Sequence, residues 1–409
     1  MGKDSDKKLV GQPIFKQMID LLPRDKFDML VHMHESDRYY KRFTSWTQLV
    51  TMLFGAFTRC DSMGEVCSGM RALEGKLNYL GMDSSPAKST AGDGLRDRDN
   101  ELFRDYYFAL IEHFSSVFSV SRIEKVSFEK LYAFDSTTIG LFSDVLKGVG
   151  RNPKGDGKKK GGLKVHMLTD IHSESACYAH ISEAKQHDRK FLDRLSLTKG
   201  SMIVFDRAYN DYKWFAEQSE KGVWFVCRMK DKAVYRVQQI LSDRVLEKDP
   251  FGVLKEEHVH LKYKDGKEKK TLCLRRIIYK DEQRRLYVFI TNNFDISAEE
   301  VAFLYKKRWT IETFYKKLKG NFQLRYFYSE TENGIRTQVW CTLIACLLLM
   351  VLKAKTQTKK AFSTVATLMR IYLISHLCMF RVIVNSRRTY TKRVKCRNKS
   401  PGIQLALSF

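Results

Sequence analysis

The feature that most constrains this chain is a double change of texture along its length. Up to about residue 120, apolar residues recur at helical spacing: Phe15, Met18, Ile19, Leu21 and Leu22, then Leu49, Met52, Leu53 and Phe57. Near residue 130 this gives way to short runs rich in β-branched and aromatic residues. Residues 131–142, 163–170, 176–181, 201–206 and 223–228 read as strands, with an amphipathic helix over 210–221. From 233 to 294 the pattern is almost wholly β, with strands expected at 253–264, 270–279 and 285–292 and a hairpin at Lys264-Asp265-Gly266. Helix then returns abruptly. Ser297 and Glu300 form a capping box, and Ile296 and Val301 a hydrophobic staple, opening a helix expected over 298–319. Such a pattern implies a mixed α/β sheet domain preceded and followed by helices.

Length and charge narrow the class. At 409 residues the chain exceeds what one hydrophobic core usually serves, so a main domain with additions is expected. It is 44% apolar and 12% aromatic, which excludes a wholly disordered basic protein despite a net charge of +25. That excess calls for a polyanionic partner, nucleic acid first and an anionic membrane surface second. Residues 333–409 hold 14 Lys or Arg and no acid, and the run 387–399 is the densest part. The N-terminal segment lacks the apolar stretch of a secretory signal, and Asp6 breaks the myristoylation pattern. The apolar run 339–352 is short for a membrane span and suits a buried helix. Nine scattered cysteines without a Cys-x-x-Cys read as reduced thiols of a cytoplasmic protein.

Three acids stand out by context. Asp135 lies inside an apolar strand, Asp206 ends another, and Glu312 sits in the capped helix. Taken singly, an acid at a strand end is commonly a cap or turn former. The helix sharpens the case, because Tyr305, Arg308, Glu312 and Lys319 follow at intervals of 3, 4 and 7. At about 100° per residue they point within about 60° of one another. Three carboxylates brought together would repel by about 4 kcal/mol per pair at 4 Å and an effective dielectric of 20. A pair of divalent cations relieves that, and hard oxygen donors favour Mg²⁺ or Mn²⁺. The chemistry that follows is two-metal phosphoryl transfer, with Arg308 and Lys319 holding phosphates. An ordinary exposed helix with Arg–Glu support at i, i+4 is the plainer alternative. Lys164 on the second strand and Arg207 beside Asp206 are further candidate phosphate contacts, while His166 reads as structural. The Gly- and Lys-rich segment 147–162 lacks a P-loop pattern and reads as a basic loop near Asp135.

The stretch from Tyr305 to Lys319 resembles the Y-(2)-R-(3)-E-(6)-K signature of IS4-type bacterial transposases, matched at every signature position. The segments AFDSTTIGLF and IVFDRAYNDY resemble that family's first and second catalytic Asp segments. The order Asp135, Asp206, a β-rich gap and Glu312 is similar to its D-D-E layout, and the resemblance covers about residues 130–350. It implies a ribonuclease-H-like mixed-sheet core with an inserted β-rich domain. The expected division is a helical DNA-binding domain at 1–120, core at 121–232, β-rich insertion at 233–295, core again at 296–354 and a basic region at 355–409. It further implies Mg²⁺-dependent cutting of transposon ends and joining to target DNA, with Asp135, Asp206 and Glu312 as catalytic metal ligands. A homodimer acting on paired DNA ends in the bacterial cytoplasm, at the nucleoid and without a membrane, completes the expectation. Trp309 is a candidate stack for a flipped base, or else a core tryptophan. The competing readings are an inactive or domesticated DNA-binding protein of the same fold, and a metal-dependent nuclease that joins no strands.

Overall fold

The computed structural model describes residues 11–118, 128–140, 162–184, 188–244, 252–324 and 326–385. The N-terminal region is helical: α1 (Ile14–Ile19), α2 (Arg24–Met33), α3 (Ser45–Thr58), α4 (Met63–Arg71), α5 (Lys88–Asp97), α6 (Glu101–His113) and α7 (Ser115–Phe118). Side-chain caps start two of these helices, Thr44 accepting from the Thr47 N–H and Ser62 from the Glu65 N–H.

Strands β1 (Leu131–Gly140), β2 (Gly162–Asp170), β3 (Ser175–Glu183) and β4 (Met202–Phe205) follow. Next come α8 (Tyr212–Glu220), β5 (Trp224–Arg228), β6 (Tyr235–Asp243), β7 (Gly252–Asp265), β8 (Glu268–Lys280) and β9 (Leu286–Thr291). All nine belong to one mixed sheet in the order β3-β2-β1-β4-β5-β9-β8-β7-β6. β1, β4 and β5 run parallel, and the other pairings are antiparallel. The β-rich stretch thus extends the first sheet, joined where β9 pairs with β5. Asn292 pins that seam: its Oδ1 accepts from the Phe225 N–H at 2.9 Å and its amide donates to Val223 O at 2.8 Å. The β7–β8 hairpin turns at Gly266, whose φ of +60° suits glycine.

Period-2 alternation sorts side chains onto two faces. Leu131, Ala133 and Ile139 of β1 enter a core shared with the N-terminal helices and the later helices. Phe134 enters the opposite core, with Phe205, Phe215 and Phe225 under α8. The later helices are α9 (Ala298–Lys307), α10 (Trp309–Asn321), α11 (Glu332–Thr356), α12 (Phe362–Ile371) and α13 (Met379–Asn385). The 25-residue α11 is long and apolar enough to cross a membrane, yet 94% of its apolar window is buried inside the fold. It is the common wall against which α3, α5, α6 and α12 pack. Its fully buried Leu, Ile and Val side chains each contribute about 1.5–3 kcal/mol of apolar transfer.

Candidate active site

Parallel pairing brings the two aspartates together. Phe134 of β1 pairs with Phe205 of β4, so Asp135 and Asp206 are the next positions on adjacent chains about 4.8 Å apart. Glu312 comes from the first turn of α10. Arg308 joins it to the pair: Nη1 stands 3.4 Å from Asp135 Oδ2 and Nη2 donates to Glu312 Oε1 at 2.7 Å. Tyr305 donates its hydroxyl to Asp206 Oδ1 at 3.3 Å.

One expectation is corrected here. The anticipated single helix over 298–319 is two helices, α9 and α10, with a turn at Arg308. The Arg308 N–H bonds to Tyr305 O at 3.0 Å, and the Ile311 N–H to Arg308 O at 3.2 Å, the i to i+3 spacing of a tighter turn. The break falls where a buried guanidinium is tethered to carboxylates on both sides, with neither Pro nor Gly involved.

Lys319 donates to Thr138 O at 2.8 Å, tying the end of α10 to the strand of Asp135, and burial lowers its pKa. Lys164 pairs with Asp188 Oδ1 at 3.0 Å, and the same oxygen accepts from Ser136 Oγ at 2.9 Å. Lys164 is therefore linked to the residue after Asp135. Arg207, although next to Asp206, pairs with exposed Asp231 at 2.6 Å. Trp309 is 53% exposed, so it is not a core tryptophan. It lines a cavity of about 680 Å³ with Tyr279, Tyr287, Phe303 and Tyr305, and the Lys316 ammonium lies 5.8 Å from its ring centroid. The basic segment 147–162, apart from Gly162, and the run 387–399 lie outside the described residues.

Sequence reasoning passed over two neighbours of Asp135. Tyr315 is buried and donates to the Asp135 carbonyl at 2.8 Å. It stands three residues after Glu312, so the same helical arithmetic could have found it. Asp188 begins a 3₁₀ turn, Asp188–Arg194, and carries no local sequence signal. His166 is structural, as its sequence context implied: it is buried, stacked on Phe191, and bonded to Ser182 Oγ at 2.9 Å. Burial pulls its pKa down to about 3, which keeps it neutral.

The electrostatics of Asp135 follow from its place. Burial pushes its pKa up to about 6; the Ser136 N–H and Arg308 oppose this, and Asp206 and Glu312 add to it. Burial works against the Arg308 charge, but Tyr305, Glu312 and Asp135 outweigh it and raise its pKa. Asp135 and Glu312 thus share one guanidinium, and Asp206 has only the Tyr305 hydroxyl, which leaves the cluster short of positive charge. Their oxygen-only donors suit a hard divalent cation. Among the described residues no three His, Cys, Asp or Glu side chains are gathered closely enough to hold an ion as they stand. Arg308 occupies the space between two of the candidate ligands.

Comparison with known proteins decides the family. The Transposase DDE domain matches residues 127–348, more than half of the chain and all three acids. The chain belongs to the transposase DDE domain family. In this DDE-domain chain, residues 10–83 also match a domain of unknown function (DUF4372). A Sinorhizobium fredii protein that carries the transposase name y4zB is 29% identical over 48% of this chain and 55% of its own. A Geobacillus stearothermophilus protein named for insertion sequence element IS5377 is 27% identical over 52% of this chain and 56% of its own. The chain thus spans about half the length of these two relatives. The transposase for insertion sequence element IS231E of Bacillus thuringiensis subsp. finitimus is 20% identical over 70% of this chain and 68% of its own. A cryo-EM structure of the piggyBac transposase synaptic complex with hairpin DNA aligns over 100% of this chain and 88% of that one, at 11% identity and a TM-score of 0.46.

Proposed function

We propose that this DDE-domain protein is the transposase of an insertion sequence, which cuts the ends of its element and joins them to target DNA. The observation that supports this best is the convergence of Asp135, Asp206, Arg308 and Glu312 from two parallel strands and the α9–α10 turn. On this reading the strands around β1 and β4 are a ribonuclease-H-like core, into which residues 233–295 are inserted as a β-rich extension. The helical segment 1–120 serves DNA binding, and 355–409 is a basic flank.

Asp135, Asp206 and Glu312 are the residues that would hold Mg²⁺, or Mn²⁺, as two ions. When bound, such ions activate the attacking hydroxyl and stabilise the leaving oxygen. The protein's own groups prepare that chemistry. Tyr315 holds the backbone of Asp135, and Tyr305 orients Asp206. Arg308 neutralises Asp135 and Glu312 in the resting site, and its guanidinium would be free to hold a DNA phosphate if those carboxylates held metal. Lys319, Lys164 and Arg207 steady neighbouring phosphates, and Trp309 offers an exposed face to a base. Double-stranded DNA is the substrate, and a homodimer acting on paired ends at the bacterial nucleoid is the working form.

The test uses donor DNA carrying the inverted repeats that flank the gene. Wild-type protein with Mg²⁺ should cut at the repeats and join pre-cleaved ends to a target plasmid. Asp135→Asn or Glu312→Gln should lower cleavage by roughly 10³-fold or more while DNA binding persists. Normal cutting by either variant would sink the assignment. Cutting without joining would move the protein to the nuclease class.

A further inference from the structure

A second charged cavity among the described residues lies at the β3 edge of the sheet. It has a volume of about 540 Å³, enclosed by β3 and the beginnings of α6 and α11. Arg104, Arg194 and Arg336 line it together with Glu101, Glu332 and His180. Two of the three guanidiniums have carboxylate partners: Arg104 with Glu101 at 2.6 Å and Asp105 at 2.8 Å, and Arg336 with Glu332 at 2.5 Å. Arg194 differs. It lies over the Phe191 ring and approaches His180 Nε2 at 3.1 Å, and no carboxylate stands within ion-pair distance of it among the described residues. His180 is itself neutral, its pKa pulled down to about 4 by burial first and then by Arg194, Arg336 and Arg104. Three guanidiniums therefore converge on one half-buried imidazole, and one of them is uncompensated. That is the arrangement that takes a phosphate, which a planar guanidinium grips with two parallel N–H bonds.

The register of the sheet places this cavity in relation to the acids. Ser136, next to Asp135, pairs with His166 of β2, and His166 pairs with His180 of β3. The His180 backbone is thus two strand spacings from β1, about 10 Å, with its side chain on the Ser136 face of the sheet, opposite to that of Asp135. A nucleic-acid strand with about 3.4 Å of rise per nucleotide spans that backbone distance in roughly three nucleotides, and needs a few more to pass round the β3 edge. We propose that the cavity at the β3 edge is a phosphate site that grips the backbone of the nucleic-acid strand a few nucleotides from the bond cut at the carboxylates, with Arg194 as its anchoring contact. The nucleic-acid part rests on the function proposed above. The anion site itself does not.

Two arms on the full chain test it, with Arg194→Gln as the variant because Arg194 is exposed and holds no carboxylate in place. The first compares thermal unfolding in sodium phosphate and in sodium chloride at equal ionic strength. Phosphate should stabilise the wild type more than chloride does, and Arg194→Gln should remove that difference. The second measures affinity for a fluorescein-labelled duplex of random sequence as salt is varied. The slope of log affinity against log salt should become shallower by about 0.9 in Arg194→Gln, the loss of one phosphate contact, and Arg194→Lys should restore it. No phosphate preference in the wild type, or the same preference in Arg194→Gln, overturns the site. A phosphate effect with an unchanged DNA slope overturns the nucleic-acid assignment and leaves a free-phosphate site. A wild type that binds no duplex overturns the proposed function instead.

Discussion

The carboxylate cleft on β1 and the cavity at the β3 edge are two strands apart on one sheet and are built in opposite senses. In the cleft, three acids converge and a single buried guanidinium serves two of them. In the cavity, three guanidiniums converge and two glutamates, with Asp105 behind them, serve only two of the three. The first site is short of positive charge, and the second holds one guanidinium, Arg194, without a carboxylate partner among the described residues. In the proposed reading, cations answer the first and a phosphate answers the second. On the proposed function, a DNA strand with its divalent ions would bring both to a protein whose overall charge is +25. The contrast also separates roles. The acid side should govern chemistry and its pH dependence, and the basic side should govern affinity and its salt dependence.

The largest effect expected from that division is on binding. If the basic surface makes about 6–10 phosphate contacts, raising salt from 50 to 200 mM should cost roughly 10³–10⁵ in DNA affinity by fluorescence anisotropy. Asp135→Asn should leave that loss unchanged, and a flat salt profile would break the comparison on its basic side. Next in size is the pH dependence of cleavage. Burial pushes the Asp135 pKa up to about 6 in the metal-free site, so between pH 7 and pH 5 the fraction ready to take a cation falls about tenfold, and single-turnover cleavage at sub-saturating Mg²⁺ should fall with it. DNA affinity should not follow that curve, because Arg194 and the other guanidiniums stay charged.

The smallest effect is on stability, and its sign is informative. The folded pKa of Asp135 is raised above its ordinary value of 3.8. Between about pH 4 and pH 6 the folded protein therefore keeps a proton that the unfolded chain has lost, and stability falls as pH rises through that window. Asp135→Asn avoids ionisation altogether. It should be more stable than wild type at pH 7.5 by on the order of 1–3 kcal/mol, with a melting temperature a few degrees higher. At pH 4 the advantage should vanish. A destabilised Asp135→Asn at pH 7.5 would mean that the Arg308 contact outweighs burial, and that the cleft is not short of positive charge.

Much of this was legible along the chain, for identifiable reasons. Asp135 and Asp206 were visible because each interrupts or ends an apolar strand, where an acid is costly. Glu312 was visible because Ser297 and Glu300 fixed where helix begins, and the intervals from Tyr305 to Lys319 then set one face. Asp188 and the cavity arginines were not legible. Arg104, Arg194 and Arg336 come from a helix, a 3₁₀ turn and another helix, with no spacing rule joining them. The break at Arg308 was hidden too, since local propensity favours continuous helix and only contacts with distant carboxylates oppose it.

By itself, then, the sequence determined the periodicities, the caps, the order of most strands and helices but not β6, α12 or α13, the three candidate acids and the excess of positive charge. These depend on neighbours a few residues apart, where backbone geometry sets which side chains share a face. The tertiary structure decided that the β-rich stretch continues the first sheet through β9, that Arg308 bridges Asp135 and Glu312, and that three arginines meet at the β3 edge. Those outcomes depend on strand pairing and burial between segments up to more than two hundred residues apart, as where Arg104 and Arg336 line one cavity. Pairings of that range are set by the packing of the whole core, which no local pattern encodes.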